Sequence, residues 1–208
     1  MESREGLARL LTKSSIEPGS GEAARLTSYL ALLEKWNRRV NLTASIGWSQ
    51  LGPMFEEGIW AARLYPSRAV AHLDIGSGAG FPAVLLGIFV PALQMDLVES
   101  RVKKAAFLET AAAELKLDGM RVYAERLDTY LRHSGKTWDC ITWKGIKLSR
   151  NELFLLREHA HPDTQFWMFH GKDLAVEEPG TMDRDFGLLR TERFPPRRDW
   201  AISIYRPR

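Results

Sequence analysis

The chain has 208 residues, 45% of them hydrophobic and 26% charged, enough to bury one core and match one globular domain with an extension. A formal charge of +3 and a pI near 9.1 permit a polyanionic partner without identifying one. The single cysteine, Cys140, excludes internal disulfides and a cysteine-rich zinc site, and no metal is expected.

No apolar run approaches the roughly 18 residues of a membrane span. The opening "MESREGLARLL" lacks the basic-then-apolar layout of a secretion signal, so the chain is expected in the cytoplasm, away from membranes. In "GEAARLTSYLALLEKWNRRVNL", Leu26, Tyr29, Leu30, Leu33, Trp36 and Val40 recur at three- and four-residue steps, one stripe of an amphipathic helix. Lys35, Arg38 and Arg39 fall off the stripe and read as a solvated face. A second helical stretch around "SQLGPMFEEGIWAARLY" ends at Tyr65, before Pro66. Residues 1–65 are therefore expected to form a helical N-terminal extension and residues 66–208 the main domain, the two making one compact unit.

From residue 69 short strands alternate with helices: "AVAHLDI" then "PAVLLGIF", "LQMDLVE" then "VKKAAFLETAAAELKL", "MRVYAE", "WDCITW", "ELFLLREHA" and "QFWMFH". The alternation predicts an α/β fold, a mostly parallel sheet covered by helices. The runs "GLLRTERF" and "WAISIYR", joined by "PPRRD", predict an antiparallel hairpin that finishes it.

Gly76, Gly78 and Gly80 join the first strand to the next helix as G-x-G-x-G, in the turn where open α/β sheets bind ligands. Bare backbone there admits a ligand, and the helix start offers unpaired N–H groups. Glu99 ends the second strand 19 residues after Gly80, the place for an acid that accepts the hydroxyls of an adenosine ribose. A dinucleotide's pyrophosphate asks for the longer G-x-G-x-x-G turn. The shorter loop, preceded by Asp74, suits S-adenosylmethionine, with Asp74 toward the ammonium of the amino-acid tail directly or through water. The plainer readings are a ligand-free turn, a helix-dipole acid at Glu99 and a turn acid at Asp74.

For a methyl donor, the end of the fourth strand, "CITWKGI", is where the acceptor would be met. It holds neither an N-P-P-Y motif for an exocyclic amine nor a nucleophilic cysteine, since Cys140 lies inside the strand and reads as core. That absence suits an acceptor such as guanine N7, whose lone pair carries no proton and needs only positioning.

"LLEKWNRRVNLTA", "LDIGSGAGFPAVLLGI", "LVESRVKKAAFLETAAAELKL" and "WDCIT", in this order, resemble the small-subunit ribosomal RNA guanine-N7 methyltransferase family, also called glucose-inhibited division protein B, over about residues 20 to 171. The resemblance implies a class I methyltransferase fold, S-adenosylmethionine as cofactor and 16S ribosomal RNA as partner. It places Gly76 and Phe81 on glycine-loop positions, Glu99 on the ribose acid, and Leu127 with Asp128 beside the adenine.

This chain departs from the family pattern on the acceptor side. Trp143 stands where the family has an arginine, preceded by Thr142 and followed by Lys144. Glu57 and Gly58 stand for its aspartate and serine, and His170 precedes Gly171 where a lysine is usual, with Lys172 as a candidate compensation. The expectation is that Trp143 supplies an aromatic face and Lys144 a charge to the acceptor. The tail arginines Arg190, Arg193, Arg197, Arg198, Arg206 and Arg208 are expected to meet RNA phosphates. The chain is expected to work as a monomer. An inactive relative serving as an RNA-binding assembly factor, and a small-molecule methyltransferase, stand as the alternatives.

Overall fold

The computed structural model describes residues 2–171, 185–197 and 200–208. Three helices come first: α1 (Glu2–Lys13), α2 (Gly21–Asn37) and α3 (Trp48–Leu64). The Ser20 hydroxyl caps α2 by accepting the Ala23 N–H at 3.1 Å. α3 stops where Tyr65 turns extended ahead of Pro66, as the residue before a proline prefers.

The sheet is built from β1 (Ala71–Ile75), β2 (Gln94–Val98), β3 (Met120–Tyr123), β4 (Trp138–Lys144), β5 (Ala160–His170), β6 (Phe186–Arg193) and β7 (Ala201–Pro207). Between the strands run α4 (Ala83–Phe89), α5 (Val102–Glu114), α6 (Leu127–Ser134) and α7 (Arg150–Glu158). The order is β3-β2-β1-β4-β5-β7-β6, parallel through β5, with β7 antiparallel to both β5 and β6. The expected hairpin thus exists, with its second strand inserted between β5 and β6. Strand order reverses on either side of β1, which puts the glycine loop over the crevice. The turn of helix at α6 was not separated in the sequence pattern; it ends at Gly135, whose φ is +58°.

Alternate strand residues point to opposite faces. One face carries a core shared by α1 to α5 with Cys140, Trp167 and Ile204. The other packs Leu73, Ile141 and Trp143 beneath α6 and α7. The N-terminal helices share the first core, so no packing gap falls at residue 65. Among the described residues no helix is long and apolar enough to cross a membrane.

Candidate functional site

All three loop glycines adopt left-handed backbone, with φ of +66° at Gly76, +56° at Gly78 and +87° at Gly80, where an L side chain is strained. They serve different ends. A Cβ on Gly80 would lie 2.5 Å from Val84 Cγ2 and 2.9 Å from the Tyr29 hydroxyl, so its absence lets α2 close on the loop. Tyr29 then donates its hydroxyl to the Ala79 carbonyl at 2.5 Å. A Cβ on Gly78 would meet nothing nearer than the Gly76 carbonyl at 3.6 Å; that space is open.

Glu99 follows β2 and is 6% exposed. Its Oε2 accepts the Gly78 N–H at 2.9 Å and its Oε1 the Arg101 N–H at 2.8 Å. The carboxylate therefore ties the glycine loop to the turn after β2, with two charge-assisted bonds.

A cavity of about 570 Å³ opens over this loop at the carboxyl ends of β1, β2 and β4. Of the expected site residues, Gly76, Gly78, Phe81, Glu99, Leu127 and Lys144 line it. Its polar rim adds Arg101, Lys104, Arg126 and Lys147, with Glu125 and Glu152, and sequence periodicity gave no reason to single these out.

Asp74, Asp128 and Trp143 do not border this cavity. Asp74 is 2% exposed beneath the loop, and its Oδ1 accepts the Thr142 hydroxyl at 2.5 Å. The Thr142 oxygen pairs with His72 Nε2 at 2.8 Å, and His72 Nδ1 with the Tyr65 hydroxyl at 2.7 Å. Because the Thr142 proton goes to Asp74, His72 Nε2 must donate and Nδ1 must accept from Tyr65. Burial raises the Asp74 pKa to about 6, countered by bonds from Thr142 and Ser77, and lowers that of His72 to about 3. The carboxylate therefore supports the loop from below, and a direct contact with a ligand's ammonium is not what the geometry offers. Asp128 sits in the first turn of α6 and accepts from Arg126 Nε at 3.3 Å, the helix-start acid; its neighbour Leu127 reaches the cavity.

Trp143 requires a correction. It is 3% exposed and packed with Leu73, Ile75, Leu148 and Leu153 under α6 and α7. Strand alternation turns it away from any acceptor and sends Lys144 to the opposite face. Cys140 is buried, and burial pushes its thiol well above the ordinary range, consistent with an inert core residue.

On that opposite face Lys144 Nζ donates to Glu57 Oε2 at 2.5 Å and lies 5.0 Å from the centroid of the Trp200 ring. The Arg197 guanidinium is 5.6 Å from the same ring. Glu57 is 3% exposed; burial raises its pKa while Lys144 and Arg197 pull it down. Beside it, Gly58 makes room for α4, since a Cβ there would fall 2.2 Å from Leu85 Cδ2. His170 points instead to the Ser203 hydroxyl at 2.9 Å, and burial, then Arg193, lowers its pKa. Sequence reading missed Trp200 because it was absorbed into a strand-like run.

Among the tail arginines, Arg197 reaches this cluster, whereas Arg190 pairs with Glu192 at 2.8 Å and Arg206 with Asp163 at 3.8 Å. Lys172 and Arg198 lie outside the described residues. Thus, among the described residues, the cations lining the cavity are Arg101, Lys104, Arg126, Lys144 and Lys147, none of them from the hairpin.

Known proteins share both the sequence and the fold. Residues 22–185 match a family model described as rRNA small subunit methyltransferase G. The chain is 31% identical over 153 residues to the ribosomal RNA small subunit methyltransferase G of Wolinella succinogenes, covering 74% of this chain and 77% of that protein. It is 37% identical over 160 residues to the protein of the same name in Methylobacillus flagellatus, covering 76% and 75%. A glycopeptide N-methyltransferase solved with S-adenosyl-L-methionine superposes with a TM-score of 0.61 at 11% identity, over 74% of this chain and 94% of that one, a likeness of class I methyltransferase fold alone.

Proposed function

Since the chain belongs to the rRNA small subunit methyltransferase G family, we propose that it methylates N7 of a guanine in small-subunit ribosomal RNA, with S-adenosyl-L-methionine as the methyl donor. The observation that carries this reading is the cavity itself: it joins a left-handed glycine loop, a buried acid after β2 and an apolar wall at Phe81 and Leu127.

These residues fit the cofactor's chemistry. The open space at Gly78 admits a ligand close to backbone that a Cβ would obstruct. Glu99 is an acceptor suited to ribose hydroxyls, and its two backbone bonds hold it in place. Phe81 and Leu127 offer apolar surface to a purine. When bound, the cofactor supplies a methyl group on a positively charged sulfur.

On the acceptor side the chain has little chemistry to perform. Transfer to N7 would use the base's own lone pair for the new N–C bond, with the S–C electrons left on the donor's sulfur, so the chain would have no proton to remove. No general base is therefore needed, and Glu57, tied to Lys144, has no proton to take. What the chain must do is orient the base and exclude water. The rim cations Arg101, Lys104, Arg126 and Lys147 suit the flanking RNA phosphates.

Mass spectrometry of small-subunit ribosomal RNA from cells with and without the gene tests the reading. One 7-methylguanine should vanish with the gene and return with the purified protein and S-adenosyl-L-methionine. Identical modification patterns in both cells would overturn it.

A further inference from the structure

We propose that Trp200 is the platform on which the target base stacks as it is methylated, with Lys144 beside it reading the guanine O6. The inference rests on the guanine-N7 reading above. Its first support is what the ring already does: it holds the Lys144 ammonium at 5.0 Å and the Arg197 guanidinium at 5.6 Å, within the reach of cation–π attraction. Lys144 also lines the cavity, so the ring stands one side chain away from it, at the carboxyl end of β4.

The ring is held in place from several sides. Phe194 donates its N–H to the Trp200 carbonyl at 2.9 Å, and the Trp200 N–H donates to the Arg197 carbonyl at 2.8 Å. Phe194 is itself buried, with its ring centroid 5.2 Å from that of Trp60 on α3. One turn earlier on the same helix sits Glu57, which holds Lys144. Just after β5, the Trp200 ring packs over Gly171, 3.4 Å from where a Cβ there would be, an ordinary packing distance.

The reaction turns a neutral purine into a cation. An aromatic face attracts the methylated base more than the neutral one, so its contribution grows along the reaction, as a catalytic contact must. In taking the ring face, the base displaces the ammonium, which stays on Glu57. Guanine presents O6 as an acceptor beside N7, whereas adenine presents an amino donor there. An ammonium at that position donates to the guanine O6 and finds no acceptor in the adenine amino group.

The test compares the parent with Trp200→Leu, which keeps apolar bulk and removes the π face, and Trp200→Phe, which restores a face. The probe is small-subunit ribosomal RNA from cells lacking the gene, before and after methylation by the parent protein. The parent should bind the methylated RNA more tightly than the unmethylated RNA. Trp200→Leu should lower that affinity ratio, and the single-turnover methyl-transfer rate, by about tenfold. Trp200→Phe should recover most of both, and cofactor affinity should stay within about twofold in each variant.

A parental ratio and rate in Trp200→Leu, or an equal loss in Trp200→Phe, overturns the platform while the guanine-N7 reading stands. A loss of cofactor affinity matching the loss of rate also overturns it. If the parent methylates no guanine in that RNA, the underlying reading fails and takes the platform with it.

Discussion

The two halves of the site are built on different principles. Around β1 and β2 the geometry is made by backbone: three left-handed glycines, and Glu99 fastened to the N–H groups of Gly78 and Arg101. Around β4, β5 and β7 it is made by side chains that meet across long stretches of chain, Lys144 with Glu57 and with Trp200. A backbone-built half tolerates few residue types at each point, because the dihedral angle selects the residue. A side-chain-built half can exchange its members in pairs, because each contact depends on two residues rather than on one dihedral angle.

The sharpest break of the backbone half is Gly80→Ala. Its φ of +87° and the 2.5 Å approach to Val84 combine left-handed strain with overpacking, so urea unfolding should show a loss of about 3 kcal/mol or more. Gly78→Ala shares the strain without the collision and should cost about 1 kcal/mol in stability. Its effect should fall instead on S-adenosyl-L-methionine affinity, weakened by at least about tenfold in calorimetry. If the two variants lose stability equally, the division of labour within the loop is wrong.

The side-chain half should break in a different manner, repairable by a partner. Lys144→Met leaves the Glu57 carboxylate, 3% exposed, without its ion-pair partner, and should cost about 3 kcal/mol. Because burial already raises the Glu57 pKa, the loss should shrink as pH falls and that carboxyl protonates. The double variant Glu57→Gln with Lys144→Met should recover most of the stability. Additive losses in thermal melts of the two singles and the double would show that the pair is not coupled.

Glu99→Gln probes the junction of backbone and ligand. It keeps one carbonyl acceptor for a backbone N–H but removes the charge, and should weaken S-adenosyl-L-methionine by about 2 kcal/mol, roughly thirtyfold in Kd. Stability should fall as well, by about 1 to 2 kcal/mol, because one of the two backbone N–H groups that Glu99 satisfies loses its acceptor; calorimetry on the folded variant reads the affinity separately. Unaltered affinity would remove Glu99 from the ligand's contacts.

The same contrast explains what could be read from the chain alone. Gly76, Gly78 and Gly80 announce a left-handed turn because no other residue suits it, and alternating apolar runs announce the strand order's raw material. Trp143 was misplaced because a residue at a strand's end belongs to one face or the other by register, and register came only with the pairing of β4 to β1 and β5. Lys144 and Glu57 lie 87 positions apart, and no local pattern brings them together. Trp200 was hidden for a related reason: nothing in "WAISIYR" distinguishes an aromatic that enters a strand from one that stands over its neighbour's end.

In the parent, the smallest net effect expected lies where the halves meet, at Thr142, which donates to Asp74 on the loop side and accepts from His72 behind it. Asp74 has its pKa raised from 3.8 to about 6 in the folded protein. Its protonated form therefore favours folding, and its contribution to stability declines as pH rises from about 4 to about 6. His72 has its pKa lowered from 6.5 to about 3, so the folded state excludes its proton. Its contribution is complete above about 6.5 and is lost as pH falls toward 3. Each slope is about 1.4 kcal/mol per pH unit, with opposite sign. Between about pH 4 and 6 the two cancel, and this pair should leave the parent's stability nearly flat. Removing one member uncovers the other: Asp74→Asn should make stability rise with pH, relative to the parent, by about 1.4 kcal/mol per unit, and His72→Gln should make it fall by as much. Urea unfolding at half-unit steps across this range measures both slopes. Parental slopes in both variants would mean that the chain through Thr142 carries no proton-linked stability, and that the two halves of the site are joined by packing alone.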